Sequence, residues 1–171
     1  PFSGGAIVPN DPTALEAYYN VDPTNQIDNS GISMQVDVDY DTFALTSITS
    51  LRNADSYSNI DSDFTSSAII SNPINTDIET FTQEIRLTSA GGGKLDWMVG
   101  AFYFDESIDY KNELPFGENY RAYLDALTLA LGAPGAIGGI EAALGLPVGG
   151  AFGQVGQGVT EEATLDNQAL S

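Results

Sequence analysis

The chain has 171 residues, enough for one domain, and its composition excludes several classes of protein. Lys and Arg total 5 against 24 Asp and Glu, a formal net charge of −19. A nucleic-acid binder needs clustered cations, so that role is excluded. Cys and His are both absent, which removes thiol nucleophiles, disulfides, Cys/His zinc sites and His general bases. No apolar run is long enough for a transmembrane helix, and no signal peptide is visible, so Pro1 suggests a processed or excised piece.

The first third of the chain changes from loop to strand signals. Prolines and Asn/Asp clusters interrupt residues 1–30, which we predict to be loop with at most one helical turn over 15–19. Strict alternation of apolar and polar residues then predicts a strand over 31–40. After a short turn, a second strand is predicted over 42–53. Its alternation has a fault, because Ser47 takes an apolar position.

The middle of the chain predicts a long loop and a second hairpin. Residues 54–78 are acidic and rich in Ser and Asn, which indicates an exposed loop. Strands are predicted over 79–89 and 94–106, joined by a glycine turn. Predicted strands of this length exceed the 5 to 6 residues usual in soluble sheets and match the 9–11 that cross a bilayer at a tilt.

The last third, residues 107–171, is the least regular and is predicted to be a long Gly-rich loop with short helices that leads to a further strand. Spacing of Tyr and Leu favours a helix over 120–131, stopped by Gly132, and a second small helix is predicted over 137–144. The chain is therefore predicted to be all-β, with about four antiparallel strands in two hairpins.

The four predicted strands differ in what their two faces carry. One face is almost free of charge, as a lipid-facing band requires, whereas the other bears acids, hydroxyls and arginines. A soluble antiparallel sandwich also alternates apolar and polar residues. A secreted acidic β-sandwich that binds calcium or carbohydrate is therefore the alternative.

Two segments of the chain resemble a barrel hairpin of TonB-dependent outer-membrane receptors. Residues 81–89 read FTQEIRLTS and, after the turn, residues 95–106 read LDWMVGAFYFDE. The family pattern there is close to Gln-Glu-Ile/Leu-Arg-Leu followed by Trp-x-x-Gly and an aromatic pair. Upstream, residues 45–52 (LTSITSLR) and 61–63 (DSD) resemble the preceding strand and loop, and residues 166–171 weakly resemble the approach to the next strand.

This resemblance implies a fragment of an outer-membrane β-barrel in the bacterial cell outer membrane. The family imports scarce nutrients such as iron–siderophore complexes, so the implied partners are a small-molecule nutrient and outer-membrane lipid. The TonB energy-coupling complex would act through parts not present in this chain, because no plug or TonB box is recognisable. Residues 1–30 and 107–171 would then be external loops. No cofactor, no enzymatic activity and no nucleic-acid partner is expected.

The charged residues of the strands form the candidate site. We predict a polar network in the barrel wall, in which charges pair across strands, because an unpaired charge in such a wall would be costly. Its predicted members are Arg52, Glu84, Arg86 and Asp96.

Other acidic residues give weaker hypotheses. Asp61 and Asp63, with Asp55 and Asn59 nearby, offer oxygens to calcium, but their spacing is not that of a helix-loop-helix site. A solvated acidic loop is the simpler interpretation. Adjacent carboxylates such as Asp105 and Glu106 point to opposite faces of a strand and do not form a hydrolase pair.

Overall fold

The computed structural model describes residue 13 and residues 18–171, so most of the helical turn predicted over 15–19 lies outside the described residues. The described chain forms one five-stranded sheet in which sequential strands are neighbours. Two helices lie between the fourth and fifth strands along the chain. The five-stranded sheet confirms the all-β prediction at the level of the antiparallel sheet. The elements are β1 (Thr24–Asp39), β2 (Phe43–Asp61), β3 (Ser71–Ser89), β4 (Met98–Pro115), α1 (Tyr120–Ala130), α2 (Ala136–Ala143) and β5 (Gly158–Leu170).

The strands are longer than the sequence predicted, and the loops are correspondingly shorter. Residues 24–30, predicted as loop, belong to β1. The acidic loop predicted over 54–78 shrinks to residues 62–70, because β2 and β3 continue to pair on both sides of it. Likewise, residues 107–115 extend β4. Backbone hydrogen bonds hold these extensions together, and such bonds form whether or not the side chains alternate in polarity.

The connection between β3 and β4 also differs from the prediction. Strand β4 begins at Met98 instead of Lys94, so Asp96 lies in the eight-residue connection and not on a strand. Gly91 and Gly92 have φ angles of 79° and 77°, a left-handed conformation that glycine adopts without a steric penalty. The connection closes where the backbone N–H of Ser89 donates to the carbonyl of Trp97.

The described residues divide into two compact units. The strand unit contains Ile27–Ser56, Asn75–Tyr110 and Glu162–Ser171; the loop unit contains the described residues up to Gln26, Tyr57–Ile74 and Lys111–Glu161. Every buried residue of the described chain belongs to the loop unit. These residues are Asp61, Ser67, Ile69, Ile137 and Glu141.

The strand unit is a single sheet layer whose described side chains are all at least partly exposed to solvent. Its large apolar side chains include Ile32 at 71 % exposure, Met34 at 61 % and Val99 at 56 %. Hydrophobic burial is the dominant favourable contribution to folding in water. Within the strand unit, the described apolar side chains of the sheet therefore gain little stabilisation from burial.

Candidate functional site: the two faces of the strand unit

The apolar face of the strand unit consists of residues that come into register across four strands. Backbone pairing of Tyr40 with Phe43 and of Ser89 with Trp97, together with side-chain contacts along the ladders, sets that register. Between the row of Tyr40 and the row of Ile32, the only charged side chain that the described strands place on this face is Asp105, which lies in the row of Ile32. Its members are Ile32, Met34, Val36, Val38, Phe43, Leu45, Ser47, Thr49, Leu51, Phe81, Gln83, Ile85, Leu87, Val99, Ala101 and Tyr103.

Aromatic side chains border the apolar face at both ends. Tyr40 and Phe43 stack with ring centroids 4.7 Å apart, and Trp97 lies in the same row. At the other limit, the rings of Phe81 and Tyr103 are 6.0 Å apart. Eight residues of β1 separate the row of Tyr40 from the row of Phe81, about 26 Å along the strand. A strand tilted by about 40°, as in outer-membrane barrels, would span roughly 20 Å of height over this length, against an apolar band of about 25 Å in those barrels.

Three polar side chains on the apolar face satisfy one another. The Gln83 amide oxygen accepts a hydrogen bond of 2.6 Å from the Thr49 hydroxyl. The Gln83 amide nitrogen donates to the Ser47 hydroxyl at 3.1 Å and to the carbonyl of Glu84 at 3.0 Å. The fault that Ser47 introduces into the alternation is therefore one part of a hydrogen-bonded cluster. Such pairing lowers the cost of placing these groups in an apolar environment.

The polar face holds three of the four predicted network residues, but they do not pair as predicted. Arg86 forms an ion pair with Glu84 on the same strand, and not with a charge across the sheet. Arg52 makes no ion pair with any residue of the described chain, and Asp96 lies off the strands. The predicted cross-strand network is therefore not formed between these residues.

Each sheet arginine faces a glycine on a neighbouring strand. A Cβ atom at Gly31 would lie 3.2 Å from Cγ of Arg52, and one at Gly100 would lie 4.0 Å from Cγ of Arg86. The same added Cβ would lie 2.8 Å from the Leu51 carbonyl oxygen at Gly31 and 3.0 Å from the Ile85 carbonyl oxygen at Gly100. The missing side chains leave room for the arginine stems to lie over the adjacent strand.

Hydrogen bonds also connect β4 and β5 within the strand unit. The Thr164 hydroxyl donates to Asp109 at 2.6 Å, the Ser107 hydroxyl to Asp166 at 3.0 Å, and the Gln168 amide to Asp105 at 2.8 Å. These carboxylates therefore have neutral donors across the ladder instead of cations. This arrangement lets an acidic sheet pair its strands with few basic residues.

In the loop unit, two aspartates organise the connection between β2 and β3. Asp61 is 4 % exposed and accepts backbone N–H groups of Asn20 and Asp63. Asp63 accepts the backbone N–H groups of Thr65, Ile69 and Ile70, the last at 2.9 Å. Their oxygens thus serve as caps for the loop backbone. In the described part of the chain no group of three acidic side chains is arranged to hold a metal ion.

The long connection between β4 and β5 is held by a buried ion pair that the sequence analysis missed. Glu141 on α2 is 1 % exposed and accepts a 2.6 Å hydrogen bond from the Arg121 guanidinium on α1. Backbone N–H groups of Gly149 and Ala151 also donate to it. Arg121 additionally pairs with Asp125 at 3.0 Å. One carboxylate therefore holds α1, α2 and the glycine-rich segment together.

The surroundings of Glu141 set its charge. Burial raises its pKa, but the hydrogen bonds from Arg121, Gly149 and Ala151 outweigh burial and hold the pKa below its ordinary value. The hydrogen bond to Glu141 raises the pKa of Arg121 above its usual value. Both groups therefore stay charged at neutral pH. The signal in the sequence is that Glu141 is the only charged residue between Asp125 and Glu161.

The comparisons with known proteins identify no relative. A scan against protein-family models, a search of curated proteins and a search of solved structures each found no match to the chain. Neither helix of the described chain is long and apolar enough to cross a membrane. The geometry of the two faces and of the loop unit is therefore the basis for assigning a function.

Proposed function

We propose that the chain is a segment of an outer-membrane β-barrel, of the TonB-dependent receptor type, that takes part in nutrient import. The observation that carries this proposal is the exposed face of the strand unit, which is free of charged side chains between the aromatic rows of Tyr40 and Phe81. Lipid covers such a face in barrels, and aromatic residues mark the two interfaces. The polar face would line the water-filled interior.

The satisfied cluster around Gln83 supports the same assignment. A polar group that lacks a hydrogen-bond partner in hydrocarbon costs roughly several kcal/mol of free energy. A lipid-facing glutamine therefore needs hydrogen-bond partners from neighbouring protein groups. Gln83 meets this need with Ser47, Thr49 and the carbonyl of Glu84. On a water-exposed sheet face, solvent would supply these partners.

The loop unit supports a proposed role in gating or ligand contact. Its two anchors are the Asp63-capped loop and the Glu141–Arg121 ion pair. Between them they give the connections a defined fold. Phe64, at the tip of the shorter connection, is 79 % exposed and has a left-handed φ of 53°, a strained conformation for a bulky residue.

The membrane part of the proposal is tested with Trp97, the single tryptophan of the chain. The chain is reconstituted in phosphatidylcholine vesicles whose acyl chains carry bromine either near the headgroup or near the terminal methyl. We expect bromine near the headgroup to quench Trp97 fluorescence more strongly, because Trp97 lies in an end row of the apolar face. A chain that stays monomeric in buffer and is quenched by neither lipid would contradict the proposal and favour the acidic sandwich.

The receptor part is tested separately by sequencing the coding DNA on both sides of the segment. An open frame that runs into a plug on one side and many further amphipathic strands on the other supports the receptor. A start or cleavage signal directly before Pro1 together with a stop codon after Ser171 would contradict it.

A further inference from the structure

Two adjoining grooves on the polar face of the strand unit share Arg52, which is the only charged side chain among the described residues that line them. One has a volume of about 420 Å³ and is lined by Asn29, Ser50, Thr80 and Thr82 among others. The second, of about 350 Å³, extends from the same Arg52 along β1 past Ser33. The rest of both linings is uncharged, and much of it carries amide or hydroxyl donors.

Arg52 differs from the other two arginines in having no carboxylate partner among the residues that the structure describes. Arg86 pairs with Glu84, and Arg121 pairs with Asp125 and Glu141. Two further acids of the polar face are engaged with neutral donors. Asp37 accepts hydrogen bonds from Gln35 and Thr46, and Glu106 accepts them from Thr80 and Asn167.

The position of Arg52 is fixed by the fold. Its stem lies beside Gly31, where a Cβ would come within 3.2 Å of Arg52 Cγ and 2.8 Å of the Leu51 carbonyl oxygen. An alanine at this position would displace the stem or the strand. The glycine thus leaves the space in which the guanidinium reaches both grooves.

We infer that Arg52 is the centre of a binding site for an oxyanion, a carboxylate or phosphate group of a small ligand. A guanidinium binds two oxygens of such a group through parallel N–H donors, and neighbouring hydroxyl and amide groups complete the shell. The chain carries a net charge of −19 and repels anions in general. Screening over about 8 Å at physiological salt leaves the local field of Arg52 dominant within its uncharged groove.

This inference deepens the proposed function. It rests on that function in one respect, because a dissolved ligand reaches Arg52 only if the polar face lines a water-filled interior. It specifies that the imported nutrient carries at least one carboxylate or phosphate group. The site lies on strands of the sheet, which hold a side chain more rigidly than loops do.

The test uses nuclear magnetic resonance of the chain labelled with ¹⁵N-arginine in maltoside micelles, which contain no phosphate. Three arginines give three Nε–H signals, and the signal lost in Arg52→Gln identifies Arg52. Inorganic phosphate and succinate are titrated separately at constant ionic strength, with chloride as the control. We expect a saturable shift of the Arg52 signal with at least one probe, while Arg86 and Arg121 stay in place.

For the variants, the chain is labelled uniformly with ¹⁵N, and the affinity is measured through the backbone amide signals of Asn29 and Thr80. Arg52→Gln should weaken binding about 10- to 100-fold, the loss of a hydrogen bond to a charged group, whereas Arg86→Gln should leave affinity within about twofold. The Arg121 signal reports in every variant that the chain is folded. Equal shifts of all three arginines, the same response to chloride, or unchanged affinity in Arg52→Gln would overturn the inference.

The two proposals fail in different ways. Quenching of Trp97 by lipid without an Arg52 response to either probe overturns the oxyanion site alone. Phosphate binding through Arg52 in a chain that stays monomeric in buffer, without quenching, overturns the membrane assignment alone. Shifts with phosphate and not succinate assign the site to phosphate groups, and the reverse assigns it to carboxylates.

Discussion

Replacing Ile85 by Lys places an ammonium group in the middle row of the apolar face, midway between the rows of Tyr40 and Ile32. Ile85 is 45 % exposed and pairs in register with Ser47 and Ala101. If lipid covers this face, a Lys at mid-depth lowers the free energy of unfolding by about 2–4 kcal/mol. This is a change of about 30- to 700-fold in the ratio of folded to unfolded chains.

The chain offers a matched control at the same depth on the opposite face. Ile48 pairs with Glu84, so Ile48→Lys puts the same ammonium group beside a carboxylate on the polar face. We expect the change to stay within about 0.5 kcal/mol, as for a surface substitution. A third variant, Leu51→Lys, lies in the row that limits the apolar face and should cost about 0–1 kcal/mol.

The assay is a urea titration of each variant refolded in phosphatidylcholine vesicles, followed by the fluorescence of Trp97. The order of cost should be Ile85→Lys, then Leu51→Lys, then Ile48→Lys. Equal costs for Ile85→Lys and Ile48→Lys would refute the reasoning, because a sheet with water on both faces does not distinguish them.

Two further predictions concern the polar groups that the fold satisfies internally. Gln83→Ala leaves the Ser47 and Thr49 hydroxyls without their amide partner and should cost about 0.6–1.7 kcal/mol in vesicles. The triple variant Ser47→Ala, Thr49→Val and Gln83→Leu should have a free energy of unfolding within about 0.5 kcal/mol of the parent chain. An equal loss of stability in Gln83→Ala and in the triple variant would argue against lipid on this face. Glu141→Gln should speed proteolysis of residues 144–157, whereas Glu118→Gln, an exposed residue of the same connection, should not. Because the folded pKa of Glu141 is lowered, its contribution is complete above the unfolded glutamate pKa of about 4.3 and is lost as pH falls through the folded value. Cleavage should therefore match between pH 7 and pH 5 and rise only below about pH 4; a rise already at pH 6 would contradict the assignment.

The sheet was predictable where side chains alternate in polarity. Val36, Val38, Ile85 and Leu87 carry a period of two, which is the strongest local signal for a strand with one apolar face. The outer parts of the strands lack that period because both of their faces are polar. Their pairing, as between Asn72 and Asn112, depends on a partner strand that local sequence does not reveal.

The candidate site was only partly predictable for a similar reason. Sequence alone placed Arg52, Glu84 and Arg86 on one face, since alternation fixes the face of a side chain. It could not decide which charges meet, because that depends on strand register and on glycines such as Gly31 that make room for an arginine. The Glu141–Arg121 pair joins two helices across twenty residues, and helical periodicity carries no information about that contact.

The central claim, that one face of the strand unit meets lipid and the other meets water, is tested most directly by a nitroxide scan along β3. The chain has no cysteine, so single cysteines at each of residues 81–88 can be labelled one at a time and reconstituted in vesicles. We expect odd-numbered positions to be accessible to oxygen, which concentrates in lipid, and even-numbered positions to be accessible to a water-soluble nickel chelate. Nickel access at odd and even positions alike would contradict it.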